Sequence, residues 1–249
     1  AIAVARVDPN GKRIVRPHTV PEVERFLSGA RVDSVQRIGK NLLVTVSVKK
    51  RTAGFLSHLG MTGKWVRRSA KDQSPPYSRI RIELDDGHAL HYVDPRLFGR
   101  LRLVPEARFA EVPEIAALGP DPLEQGIDVD RLLAALVRTA RPVKVAIMDQ
   151  ALLPGVGNIY ASEALFSARI DPRRPAKRVT RPEAKRIADA LLEAMRASIA
   201  REMGPEITYV EEPGADNPFE VYDRAGARCP RCKRGVIARV VLGQRSSFY

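Results

Sequence analysis

The only two cysteines among 249 residues stand as Cys229-Pro-Arg-Cys232. Thiols at that spacing ligate a metal, cycle between dithiol and disulfide, or pack as small apolar groups. A thioredoxin-like redox pair opens a helix within a βαβ unit, whereas this pair lies in RCPRCKRG, between short strand-like stretches rich in glycine and arginine, so redox fits worst. The zinc-ribbon frame fits better. There a C-x2-C is followed after about 15 to 20 residues by a second such pair, and Lys233 to Tyr249 spans 17 residues, so a second pair beginning at the next position would fall inside that window. Two thiolates supply half of a tetrahedral zinc shell. His18, His58, His88 and His91 all lie in the N-terminal half and offer no local substitute. A zinc half-site is the leading reading of Cys229 and Cys232, an incidental pair the second.

A second stretch, LLPGVGNIYASEALF from Leu152 to Phe166, has the makings of an anion site. Gly155 and Gly157 permit a tight turn, and Asn158 can cap the helix that follows, so that backbone N–H groups at its start face a ligand such as a DNA phosphate. A plain turn between two helices uses the same residues, and on pattern alone that reading leads. Charge supplies context. Lys and Arg number 42 against 29 Asp and Glu, a net +13, which makes nucleic acid the candidate partner and a solvated basic surface the alternative. Part of the excess is local: Arg224, Arg228, Arg231, Lys233, Arg234, Arg239 and Arg245 face only Glu220 and Asp223 from Phe219 onward.

The elements that must position these groups divide the chain. AIAVARV, RVDSVQRI, NLLVTVSV and AGFLSHLG read as strands, and RIRIEL-DDG-HALHYV as a hairpin turning at Asp86-Gly87. VPEVERFLSGA reads as a short helix with Pro21 in its first turn and Gly29 near its end. After LGPDPLEQG the pattern becomes helical through VDRLLAALVRTA, VKVAIMDQALL, NIYASEALFSARI and RPEAKRIADALLEAMRASIARE. In the last of these Ile187, Leu191, Met195 and Ile199 recur on one face. From Thr208 onward TYVEE, FEVYD and VIARVV predict a loop and a small β-hairpin module around the cysteines. No internal repeat or low-complexity segment is present. AIAVARV is too short for a secretory signal, and no apolar run reaches the roughly eighteen residues of a membrane span. The expectation is a cytoplasmic, nucleoid-associated protein of the bacterial type with no membrane partner.

In chain order, RIGKNLL, HLGMTG, DPRLFGR, PGVGNIYASEALF and QRSSFY resemble the formamidopyrimidine-DNA glycosylase and endonuclease VIII family of base-excision repair enzymes, over nearly the whole chain. The resemblance implies a multidomain α+β fold: a β-sandwich catalytic-type domain over 1–105, a helix-two-turn-helix domain over 106–207, and a lesion loop with a C-terminal zinc-finger-like hairpin over 208–249. By resemblance Met61, Arg96 and Phe98 form the wedge that enters the space left by an extruded nucleotide; apolar core is the alternative for Met61 and Phe98. Lys144, Gly157, Asn158 and Tyr160 hold the DNA backbone, a solvated helix face being the alternative for Lys144. Lys40 and Arg245 contact phosphate and assist elimination, and Thr208–Phe219 covers the extruded base. Zinc is implied as a structural metal with two of its four ligands, Cys229 and Cys232, in this sequence.

Family members open on a proline whose secondary amine attacks the damaged nucleoside and a glutamate that moves protons, whereas this sequence opens Ala1-Ile2. Pro21 in VPEVE is no substitute, because its nitrogen is a tertiary amide. The expectation is that a first helix and a second Cys pair belong just outside the residues given. Tyr77 stands where many members have a DNA-contacting histidine. The expected activity is a monomeric bifunctional glycosylase and abasic-site lyase acting on double-stranded DNA with oxidised purines, 8-oxoguanine and formamidopyrimidines, or abasic sites. A non-catalytic damaged-DNA binder of the same fold is the alternative, and a zinc-ribbon RNA-binding protein a third reading.

Overall fold

The computed structural model describes residues 1–49, 51–201, 209, 212 and 214–249. They form two compact units, one of the described residues within 1–116 together with Tyr209, the other of 117–201 together with Glu212 and 214–249.

The first unit is built on eight strands: β1 Ile2–Val7, β2 Arg31–Ile38, β3 Asn41–Val48, β4 Arg51–His58, β5 Lys64–Ser69, β6 Ser78–Leu84, β7 His88–Val93 and β8 Arg100–Pro105. They pair antiparallel into two four-stranded sheets, ordered β1-β6-β7-β5 and β2-β3-β4-β8. Alternation along the strands turns Ile2, Ala5, Val7, Ile80 and Ile82 of one sheet and Val44, Val46, Ala53, Phe55 and Leu101 of the other into a single core, which is the β-sandwich. Helix α1, Val20–Leu27, adds Val23 and Leu27 to that core. It starts where Thr19 and Glu22 form a capping box, with Pro21 in the first turn. Short α2, Pro113–Ala116, closes the unit.

The second unit holds α3 Pro122–Gln125, α4 Val129–Leu136, α5 Val143–Ile147, α6 Asn158–Ala168 and α7 Arg181–Arg201, followed by the hairpin β9 Arg239–Leu242 and β10 Arg245–Phe248. VKVAIMDQALL does not stay helical, because the Asp149 carbonyl takes the amides of Leu152 and Leu153 and its carboxylate that of Ala151, making a turn. On α7, Ile187, Leu191 and Met195 are buried, but Ile199 is 48% exposed; the apolar period outlasts the surface it packs on. FEVYD is bend and turn rather than strand. Thr208, Val210 and Glu211 of TYVEE lie outside the described residues, as does Pro213 of the predicted lesion loop. The C-terminal module is part of the helical unit rather than a unit of its own. Val221, Ile237 and Phe248 form a small core against Phe166 of α6. The Glu163 carboxylate, on the same helix, accepts the consecutive amides of Glu220, Val221 and Tyr222 at 2.7, 3.0 and 2.8 Å.

Candidate nucleic-acid interface

In the sandwich unit, Met61 and Phe98 are 59% and 43% exposed, which removes the core reading for both. Arg96 is exposed as well, and its guanidinium carbon lies 4.8 Å from the centroid of the Phe98 ring. The loops carrying these side chains are tied by Asp94, which is fully buried. Its Oδ1 accepts the Thr62 hydroxyl at 2.9 Å and the Arg96 amide at 3.2 Å, while Oδ2 accepts the Gly99 amide at 2.8 Å. Close approach makes two glycines obligatory. A Cβ on Gly60, whose φ is +68°, would stand 2.6 Å from the Phe98 carbonyl carbon, and one on Gly99 would stand 1.7 Å from the Tyr92 hydroxyl. The product is an apolar pair with a cation stacked against it, exposed yet fixed at its base.

Lys40 is exposed in the two-residue turn between β2 and β3. His58 ends β4, cross-strand from Asn41 and Arg100. Burial, then the charges of Lys40 and Arg100, push the His58 imidazole below its ordinary pKa. Its Nδ1 and the Gly60 amide lie 3.0 Å apart, so a neutral ring accepts there from the loop that carries Met61. Sequence reasoning considers His58 only as an absent zinc ligand and gives Asp94 no role. The signal for Asp94 is DPRLFGR itself, an aspartate before proline in a turn, where such side chains bond to amides a few residues on.

In the helical unit the structure corrects two expectations. Asn158 does not cap α6: Gly157 is the N-cap, in extended conformation and without a side-chain cap bond, and Asn158 is the first helical residue. Lys144 is neither on a solvated helix face nor placed to reach a phosphate, being only 1% exposed. Its ammonium donates to Asn158 Oδ1 at 2.6 Å, to the Ser246 carbonyl at 3.0 Å and to Ser247 Oγ at 2.7 Å, satisfying all three of its protons. Burial, and then the charge of Arg245, lower its pKa to about 8. Lys144 thus joins α5, the start of α6 and β10. Arg245, exposed at the start of β10, is near enough to this joint for its charge to act on Lys144, and a Cβ added to Gly243 in the adjoining turn would stand 3.2 Å from Val145 of α5. Before α6, the Gln150 amide donates to the Met148 and Val156 carbonyls and accepts from Gly155, holding the turn in which Gly155 has φ +89°. Tyr160 is half-buried against the helical core.

Cys229 and Cys232 sit on one turn, where the Cys229 amide donates to the Gly235 carbonyl at 2.8 Å and the Gly235 amide to Cys232 Sγ at 3.3 Å. Amides of Gly235 and Arg234, then the Cys229 thiol, favour the Cys232 thiolate. Two sulfurs on a thiolate-stabilising turn fit half of a tetrahedral zinc shell. Among the described residues no group of three or more His, Cys, Asp or Glu side chains is arranged to hold a metal.

Comparison with known proteins decides the ancestry of this arrangement. The profile of the formamidopyrimidine-DNA glycosylase N-terminal domain matches residues 2–101, and that of the family's H2TH domain residues 118–209. The chain belongs to the formamidopyrimidine-DNA glycosylase family. The formamidopyrimidine-DNA glycosylase of Laribacter hongkongensis is 38% identical over 237 residues, 92% of this chain and 84% of that protein. That of Thermus thermophilus is 37% identical over 228 residues, 88% and 81% of the two chains. The crystal structure of MutM (Fpg) from Thermus thermophilus superposes on all of this chain and 89% of its own, with TM-score 0.80 and 32% identity. The Lactococcus lactis Fpg in complex with DNA containing an abasic site shares the fold at TM-score 0.85 and 22% identity, covering all of this chain and 90% of that one.

Proposed function

We infer that this family member is a base-excision-repair DNA glycosylase that removes oxidised purines from duplex DNA and cleaves the abasic site it creates. The observation that carries the reading is the exposed trio Met61, Arg96 and Phe98, held at its base by Asp94. Rotating a nucleotide out of a duplex costs a few kcal/mol of stacking and pairing. An apolar plug offsets part of that cost, and an adjacent guanidinium can hydrogen-bond the orphaned partner base. The uncapped start of α6 and the exposed Arg245 support a second function, gripping phosphates, with Lys144 holding Asn158 and β10 in register rather than touching DNA. Lys40 and Arg245 take the elimination roles that the resemblance implies. Structural zinc, with Cys229 and Cys232 as two of its four ligands, would brace the hairpin, and work on nucleoid DNA in the cytoplasm agrees with the basic charge.

The chemistry of this reading runs through an amine. It displaces the base at C1′, the base leaving with the glycosidic electron pair, and forms a Schiff base from which the phosphates are eliminated. Ala1 and Ile2 do not match the proline and glutamate implied for that step, so the test uses the protein as encoded. Incubation with an 8-oxoguanine duplex and borohydride is expected to trap a covalent protein–DNA adduct. Tight binding to the lesion duplex with no adduct would replace the enzyme with a damage-binding protein.

A further inference from the structure

Tyr92, near the end of β7, belongs to none of the motifs that carry the plug, yet its hydroxyl lies at the ends of both loops that do. The first loop, Leu59 to Gly63, joins β4 to β5 and carries Met61; the second, Asp94 to Gly99, joins β7 to β8 and carries Arg96 and Phe98. The Tyr92 ring is buried and packs edge-to-face with Trp65, centroids 5.1 Å apart. Its hydroxyl donates at 3.3 Å to the carbonyl of His58, where β4 passes into the first loop. A Cβ on Gly63, at the far end of that loop, would stand 2.2 Å from the same oxygen, and one on Gly99, which ends the second loop, 1.7 Å from it. Both motif glycines therefore lie against the phenol, nearer than any side chain allows. The Gly63 carbonyl also accepts the Tyr209 hydroxyl at 2.5 Å. Burial, then the charge of Asp94 and the phenol of Tyr209, push the Tyr92 pKa well above its ordinary value, so the group stays a neutral donor. An apolar core needs this ring but not its hydroxyl, whose burial costs free energy until an acceptor is placed for it. Here the acceptor is the root of a plug loop.

We propose that Tyr92 is a positioning residue of the plug: its hydroxyl sets the spacing of the two loops from beneath, without touching DNA, and so sharpens the preference for duplex that has lost a base. The inference rests on the glycosylase reading and deepens it, adding a contact from the strand below to those that Asp94 makes from within the second loop. The test measures dissociation constants for intact duplex and for duplex with a stable tetrahydrofuran abasic site, by fluorescence anisotropy across a salt series, beside urea unfolding. Tyr92→Phe keeps the ring and removes the bond to His58. It is expected to lower the preference for the abasic duplex about threefold to tenfold, the range that one hydrogen bond covers. Binding to intact duplex and its salt slope should not change, because no phosphate contact is involved. Gly99→Ala presses on the same hydroxyl from the loop side and is expected to reduce the preference at least as much, which supplies the test if the phenylalanine variant does not fold. A preference within about twofold of the parent's in either folded variant overturns the proposal. Equal losses on both duplexes also overturn it, since they would make Tyr92 a stabiliser of the fold alone. A parent protein with no preference for the abasic duplex would instead overturn the glycosylase reading, and this proposal with it.

Discussion

Asp94 shows why residue types in a motif are easier to read than the job each one does. Exposed Met61, Arg96 and Phe98 can be picked out from HLGMTG and DPRLFGR, but the bond joining the two motifs runs from Thr62 to Asp94 across 32 positions, and no local pattern encodes it. Asp94→Asn keeps one acceptor oxygen and sets an NH2 group against a donor that the carboxylate had satisfied. We expect it to cost about 1–3 kcal/mol in urea unfolding, the usual penalty for a buried unsatisfied donor. Preference for the abasic duplex should fall with it while binding to intact duplex is retained. Equal losses on both duplexes would make Asp94 a stabiliser of the fold alone. Lys144 teaches the converse: a basic residue on a predicted DNA-binding helix reads as a phosphate contact, and only its burial and three acceptors reveal an internal strut.

Among the elements, strands rich in β-branched residues are legible to the residue, RVDSVQRI and NLLVTVSV becoming β2 and β3. The short β5, KWVRRS, is not, because charge fills half of its positions. Helix ends depend on bonds from residues outside the apolar pattern, Asp149 stopping α5 and Glu22 starting α1. The start of α7 uses the same device. Glu183 accepts the Thr180 amide at 2.8 Å and an Arg174 N–H at 2.6 Å, and the Arg174 hydrogen bond is the first cause that holds its carboxyl down at about 2. A depressed carboxyl contributes stability above its unfolded pKa and loses it as pH falls through the folded one. The contribution, about 1–2 kcal/mol after allowance for solvent screening, should be intact at pH 6 and vanish between about pH 4.5 and pH 2. Thermal unfolding of the parent and of Glu183→Gln should therefore differ at pH 6 and converge near pH 2; a constant gap would place the helix's stability elsewhere.

At the scale of the molecule, the β-rich first half and helical second half are legible from hydrophobic period alone. The docking of the C-terminal module on α6 is not, since it depends on Glu163 and Phe166 meeting residues more than fifty positions away. In the proposed function, net charge of +13 accounts for general affinity for DNA, and the exposed Met61, Arg96 and Phe98 account for preference for duplex that has lost a base. Those two terms separate experimentally, because phosphate contacts set the salt slope and the plug sets the ratio between substrates. The decisive measurement is the ratio of dissociation constants for intact and abasic duplex in the parent and in a Met61→Ala, Arg96→Ala, Phe98→Ala triple variant, across a salt series. The parent should favour the abasic duplex at least about tenfold, given the few kcal/mol at stake in extrusion, and the triple variant should bring the ratio near one while still binding both duplexes with steep salt dependence. A triple variant that keeps the parent's ratio would contradict the account.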